Sequence, residues 1–268
     1  MIGLYTSASR LRGADAAAAL LRAEELGFRE LWIANVGSDL DVVDAALTAT
    51  SAVRVGTAVA SIWSVPAQEL AAWWSGRERL VLGIGISHGP LVGAAYERPL
   101  TAMTRYLDDL DAAGVPASAR VLGANGPKML SLAAQRSAGA LTYLVTPEQT
   151  EVHRTQLGDA ARLVPEVKLV LDDDGRRTAR EHLAVYLGLP NYLGNLRRMG
   201  FTDDDLTPPG SDRLVDALVA TGIQQVQRRV AEHRAAGADA VALHVLGTTS
   251  LPVQAWQALS EALLSGAT

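Results

Sequence analysis

The chain has no cysteine, which removes disulfides, thiolate metal sites and thiol nucleophiles together. That absence fits a cytoplasmic protein. Lysine is nearly as scarce, with Lys128 and Lys168 the only two; beside so much alanine, this reads as compositional bias of a genome. Basic residues are outnumbered, leaving a net charge of −5. No nucleic-acid partner is expected, because phosphate binding needs a basic surface. Apolar stretches are interrupted every few residues, so none can span a bilayer and no membrane role is expected. No export signal is read at the start, since Met1-Ile2-Gly3-Leu4-Tyr5 already has the pattern of a strand. HExxH and Walker sequences are missing, and the five histidines show no paired metal spacing. No metal site is expected.

What is present is a repeating strand–helix unit. Hydrophobic residues make up 49% of the 268 residues and charged ones 20%, enough for a large core in one domain spanning 1–268. An amphipathic run, a glycine and an apolar strand recur at Gly27, Gly114, Gly139 and Gly237. Strand candidates lie near 1–5, 30–34, 53–60, 79–84, 119–123, 140–144, 166–171 and 239–245. Helical patterns lie near 14–26, 39–51, 66–75, 99–112, 127–136, 147–158, 223–235 and 252–264. Nearly continuous apolar strands alternating with helices imply a parallel sheet buried on both faces. Eight units in roughly 250 residues predict a closed (β/α)8 TIM barrel, with an open doubly wound sheet as the alternative. Residues 172–221, between the seventh strand and seventh helix, exceed an ordinary loop. Thr178–Leu187 and Asp212–Ala220 read as helical there, and the insertion is expected at the barrel mouth, as a cap or as a substrate lid.

Three segments could carry chemistry. Leu82-Gly83-Ile84-Gly85-Ile86-Ser87-His88 ends the fourth strand. Its glycines either let backbone approach a ligand or make room for neighbouring side chains, and both readings stand. Gly123-Ala124-Asn125-Gly126-Pro127-Lys128 turns into a helix whose first N–H groups could hold an anion, or is an ordinary turn. Val55–Trp63 has small residues at its exit, where a flat molecule could lie, and Trp63 either walls a pocket or closes the core. His153, His182 and His233 fall on helical patterns and are expected to be solvated, whereas His244 ends the last strand at the mouth. Asp172-Asp173-Asp174-Gly175 reads as a solvated turn. No lysine or paired carboxylates are read at the strand ends, which argues against aldolase or isomerase chemistry.

Together these segments, with Glu25-Leu26-Gly27-Phe28, Arg54–Val59, Tyr96–Leu100 and Gly126–Leu130, resemble the luciferase-like monooxygenase superfamily, specifically its coenzyme F420-dependent branch. The resemblance covers nearly the whole chain, including the position of the insertion. It implies a deazaflavin at the C-terminal mouth of the barrel, with FMN as the alternative. It implies a cis peptide at Ala58-Val59 behind the ring, with Ser61 beside it. Gly85, Ile86, Ser87 and His88, and Ala124, Asn125 and Gly126, would meet the phosphate and ribityl chain. Arg98 and Lys128 are candidates for the anionic tail. The family's catalytic histidine falls at Asn35-Val36 here, where nothing titrates. His88 is therefore the expected proton-handling residue; the alternative is that it only hydrogen-bonds a loop carbonyl or the cofactor phosphate, with Asn35 and Tyr143 then orienting substrate without titrating. The implied activity is hydride transfer between F420 and a small-molecule substrate. The alternatives are an FMN-dependent monooxygenase on the same barrel, or a catalytically inactive barrel acting as a binding or dimer subunit. A homodimer is compatible with either.

Overall fold

Small residues inside the strands allow eight of them to close around a narrow core. The computed structural model describes residues 1–172 and 174–265. The first half comprises β1 (Ile2–Ser7), α1 (Ala16–Glu25), β2 (Glu30–Ala34), α2 (Asp41–Ala49), β3 (Arg54–Thr57), β4 (Ala60–Ser61), α3 (Ala67–Trp74) and β5 (Leu80–Gly85). There follow α4 (Gly89–Val92), α5 (Pro99–Ala112), β6 (Arg120–Gly123), α6 (Pro127–Arg136), β7 (Gly139–Thr142), α7 (Pro147–Leu157) and β8 (Arg162–Val170). The last part holds α8 (Gly175–Tyr186), α9 (Pro190–Arg198), α10 (Asp203–Leu206), α11 (Asp212–Leu218), β9 (Val219–Thr221), α12 (Ile223–Ala235), β10 (Val241–Val245) and α13 (Val253–Leu263).

All strand pairings are parallel. They run β1–β2–β3–β5–β6–β7–β8–β10 and return from β10 to β1, while β4 prolongs the third position by pairing with β5. The closed barrel replaces the open-sheet alternative. Inside it, period-two alternation sends every second side chain inward. Trp32 fills the middle, and Gly56 makes room for it: a Cβ there would stand 2.5 Å from the indole. Val81, Val121, Leu141, Val164 and Ala242 complete that layer. Outside it, the helices bury a larger core that includes Leu20, Val43, Leu70, Leu107, Leu130 and Trp256. No helix of the described residues is long and apolar enough to cross a membrane.

Two boundaries differ from the sequence expectation. The seventh barrel strand begins at Arg162, not near 166, because Arg162 and Pro165 look like loop residues yet pair with β7. Residues 219–220, expected at the end of a helix, belong to β9, which pairs with β8 through Lys168 and Val219. A helix running directly into a strand shows no break in hydrophobicity, so periodicity alone misses the change. The insertion also holds α9 and α10, which the pattern did not reveal. Its helices share a separate core with the ends of β7, β8 and β10, including Leu144, Val170, Leu183, Leu196 and Leu246. The aspartate run leads into α8, but Asp173 lies outside the described residues.

Candidate active site

At the C-terminal ends of the strands the barrel opens into a cavity of about 1300 Å³. Twelve residues singled out in the sequence line it: His88, Asn35, Ala58, Val59, Ser61, Gly85, Ile86, Ser87, Ala124, Asn125, Gly126 and Tyr143. Barrel geometry accounts for the gathering, since strand ends that are far apart in sequence converge on one face. Backbone strain collects there too. The three non-glycine residues with positive φ among those described are Asn35, Ser87 and Leu144, at φ 55–56°. Each follows the end of a barrel strand, and strained residues of this kind cluster at functional sites.

The Ala58-Val59 peptide is cis, at the position the resemblance implied. The Ala58 carbonyl accepts the Tyr5 hydroxyl at 3.2 Å. Val59 decides between the two readings of the strand-four glycines. A Cβ on Gly85 would stand 2.1 Å from Val59 Cγ2, and one on Gly123 would stand 3.1 Å from Val59 Cγ1. At Gly83 a Cβ would meet the Thr57 carbonyl oxygen at 1.8 Å. These glycines serve close packing, and Val59 is the surface that a ligand would meet. Gly126 differs: a Cβ there would meet only Arg198 Nη2, at 4.0 Å. It opens onto the cavity as the residue before α6, beside Lys128.

Other residues brace these loops. Asn125 spends its amide on β7, donating to the Tyr143 carbonyl at 2.8 Å and accepting the Tyr143 N–H at 3.1 Å. Trp63 neither walls the cavity nor only closes the core; its indole N–H donates to the Ile86 carbonyl at 2.7 Å. Val36 is buried away from the mouth, and Asn35 takes the exposed place. Arg98 does not line the cavity, whereas Lys128, Arg10 and Arg198 do.

Three histidines expected to be solvated are not. His153 and His233 are fully buried, and burial pushes them down to about 4 and about 3. His182, on α8, lines the cavity, and burial together with Lys168 and His244 lowers it to about 3. Each helix turns that face inward, which a polar residue on a mixed helical pattern does not announce. His88 is half-buried, with its ring centre 4.8 Å from that of Tyr192 and Nδ1 3.5 Å from Asn191 Nδ2. Burial holds it below the ordinary imidazole value.

A charged group at the cavity floor was missed altogether. Glu166 and Lys168, two residues apart on β8, face the barrel interior and form a buried ion pair. Glu166 Oε1 also bonds His244 Nδ1 at 2.6 Å. No lysine was read at a strand end, and Lys168 stands within β8. Tyr143 stacks above Lys168, with Nζ 3.4 Å from its ring centre, and its hydroxyl lies 2.6 Å from that of Tyr186. Five of the six tyrosines line the cavity: Tyr5, Tyr96, Tyr143, Tyr186 and Tyr192. In a chain with 5% aromatic residues, this concentration marks one surface built for contact with a flat or polar ligand. The signal was in β8: a Glu-x-Lys alternation inside an apolar strand points charge into the barrel.

No sequence-family profile matches the chain, and no curated protein sequence does. Solved structures do match in shape. The coenzyme F420-dependent tetrahydromethanopterin reductase of Methanopyrus kandleri superposes with a TM-score of 0.79 at 15% identity, over 100% of this chain and 99% of that one. An F420-dependent secondary alcohol dehydrogenase in complex with an F420–acetone adduct gives 0.68 at 15% identity, over 98% of each chain. The oxygenating constituent of 3,6-diketocamphane monooxygenase from Pseudomonas putida, in complex with FMN, gives 0.65 at 14% identity, over 97% of this chain and 95% of that one. Along nearly its full length, the chain has the barrel fold shared by these F420-dependent and luciferase-like oxidoreductases.

Proposed function

We propose that the protein is an F420-dependent oxidoreductase that moves a hydride between the deazaflavin and a small organic substrate. The observation that carries this reading is the cavity itself. Its wall combines an open cradle at Gly126, positive groups at Lys128 and Arg198, and five tyrosines. The residues fit the group: a flat ring would rest on Val59, and its phosphate would reach the Ser87 hydroxyl and the first N–H groups of α6. When bound, the deazaflavin supplies a two-electron hydride donor or acceptor. Ile86, Ala124 and Asn125 shape the channel between ring and phosphate, and Ser61 and Gly85 back the ring.

His88 belongs in this reading to the cofactor end, next to Ser87 and the α9 residues Asn191 and Tyr192. Arg198, Lys128 and Arg10 favour an anionic ligand in a protein whose net charge is −5. That local charge supports F420, with its long anionic tail, over FMN. An FMN-dependent monooxygenase is the second reading, supported by the FMN-bound structure that shares the fold. Anaerobic and aerobic mixing with reduced F420 and with reduced FMN separates them. Oxidation of F420H₂ by small carbonyl compounds without oxygen uptake supports the proposal. Oxygen uptake coupled to FMNH₂ oxidation supports the monooxygenase, and no turnover with either leaves a binding barrel.

A further inference from the structure

We infer that His244 is the catalytic proton acceptor and donor of this site, with Glu166 and Lys168 as its positioning residues. The inference rests on the redox reading above and moves proton transfer from His88 to the cavity floor. His244 lines the cavity at the end of β10. Burial opposes ionisation of Glu166, but the Lys168 ammonium and the His244 ring outweigh it and hold the carboxyl below its ordinary range. An ionised carboxylate can only accept hydrogen bonds. His244 must therefore carry a proton on Nδ1 and donate it to Glu166 Oε1, at 2.6 Å. In the neutral ring this leaves Nε2 as an acceptor, and among the described residues it has no hydrogen-bond partner.

The titratable and charged groups that face His244 come from β8, β1, α8 and the segment after β1. Glu166 and Lys168 come from β8. Tyr5 comes from β1, with ring centres 4.7 Å apart, and His182 from α8, at 5.4 Å. Arg10 reaches over from the segment after β1 to donate to the Val245 carbonyl at 3.1 Å. Burial lowers His244, which Glu166 opposes and Lys168 and Arg10 reinforce. The ring is thus neutral near neutral pH, the form a base needs. Tyr5 and Tyr143 are pushed well above the ordinary phenol value by burial and Glu166, so neither gives up its proton. His182 is held too low to be protonated.

An ion pair sealed from water is costly, and apolar residues of the same size would fill the space without that cost. Its placement beneath an imidazole at the cavity wall gives the cost a purpose. The arrangement is nucleophilic-triad logic turned to proton transfer: a carboxylate fixes the tautomer and stabilises the imidazolium as it forms. In the oxidative direction, a substrate carbinol becomes a carbonyl. Its O–H proton would pass to Nε2, and a bound deazaflavin would supply the acceptor for the C–H hydride and its two electrons. The imidazolium then returns its proton to water, and reduction reverses each transfer.

The tautomer can be read in the protein without cofactor. Long-range ¹H–¹⁵N NMR of histidine-labelled protein at pH 7.5 should show His244 with Nδ1 protonated and Nε2 bare. Glu166→Gln should shift that signature, while far-ultraviolet circular dichroism confirms that the variant remains folded. With F420H₂ and a panel of small aldehydes, ketones and quinones, His244→Gln should lower kcat by about 10²–10⁴-fold and leave the F420 Kd unchanged. Glu166→Gln should move the acid limb of the pH profile, and Glu166→Asp should restore part of the rate. A wild-type ring protonated on Nε2 with Nδ1 bare overturns the role by itself. An undiminished kcat in folded His244→Gln does the same. No turnover of any compound by wild type overturns the redox reading, and the catalytic role falls with it.

Discussion

The ammonium of Lys168 sits 3.4 Å from the centre of the Tyr143 ring, behind the cavity wall and sealed from water. It is held there by Glu166 on one side and the ring face on the other, an ion pair completed by a cation–π contact. Removing one partner of such a pair leaves an uncompensated buried charge, whereas removing both does not. Lys168→Met should therefore lower stability by about 3–5 kcal/mol, and Lys168→Met combined with Glu166→Leu should recover most of it. Urea unfolding of the three proteins measures this. A single variant as stable as wild type would show that the pair carries no such burden.

Gly126 and Gly83 should respond oppositely to a side chain. Gly126 has φ −97°, which any residue adopts, and open space beyond it. Gly126→Val should leave the melting temperature within a degree or two and weaken F420 binding by more than about tenfold, through blocked backbone approach. Unchanged affinity in the folded variant removes the cradle from the cofactor site.

At Gly83 the new Cβ would collide with the Thr57 carbonyl, 1.8 Å away. Gly83→Ala should cost about 1–3 kcal/mol or more, because backbone in a closed barrel has little room to shift. Thermal unfolding without ligand is the check, and a neutral result would mean that the barrel is looser than its strand register requires.

Acid should destabilise the fold before any carboxylate titrates. Unfolded, His153 and His233 take up protons near the ordinary value of 6.5; folded, only near about 4 and about 3. Between those limits the unfolded chain binds more protons, so stability falls as pH falls. By pH 5 the two together account for about 2–4 kcal/mol. Glu166, held below its ordinary range, adds a loss in the same direction at lower pH. Melting temperatures at pH 7.5 and 5.0 should differ, and His233→Gln should narrow the gap. Equal values would mean that these imidazoles are protonated in the fold.

The barrel and the mouth were legible because both rest on repetition. Glycine-punctuated strand–helix units announce the fold, and strand ends such as Ser87 and Gly126 must then meet on one face. The spacing of Glu166 and Lys168 puts them on one face of β8, but that this face points inward is known only from the strand's register. His153 and His233 escaped for a related reason. A polar residue on a helix is read as solvated unless the tertiary partner of that face, such as Thr150 bonded to His233 Nδ1 at 2.9 Å, is seen. Small residues at the exit of the third strand announced room for a flat molecule, but Val59 itself was singled out only through the resemblance.

The proposed hydride transfer requires that the cavity take F420. Equilibrium titration of the purified protein with F420 and with FMN, at matched low and high salt, tests it most directly. F420 should bind at least about tenfold more tightly than FMN at low salt. That preference should shrink as salt rises, because Lys128 and Arg198 act on an anionic tail through screened charge. FMN binding as tightly as F420, or no F420 binding at all, would contradict it.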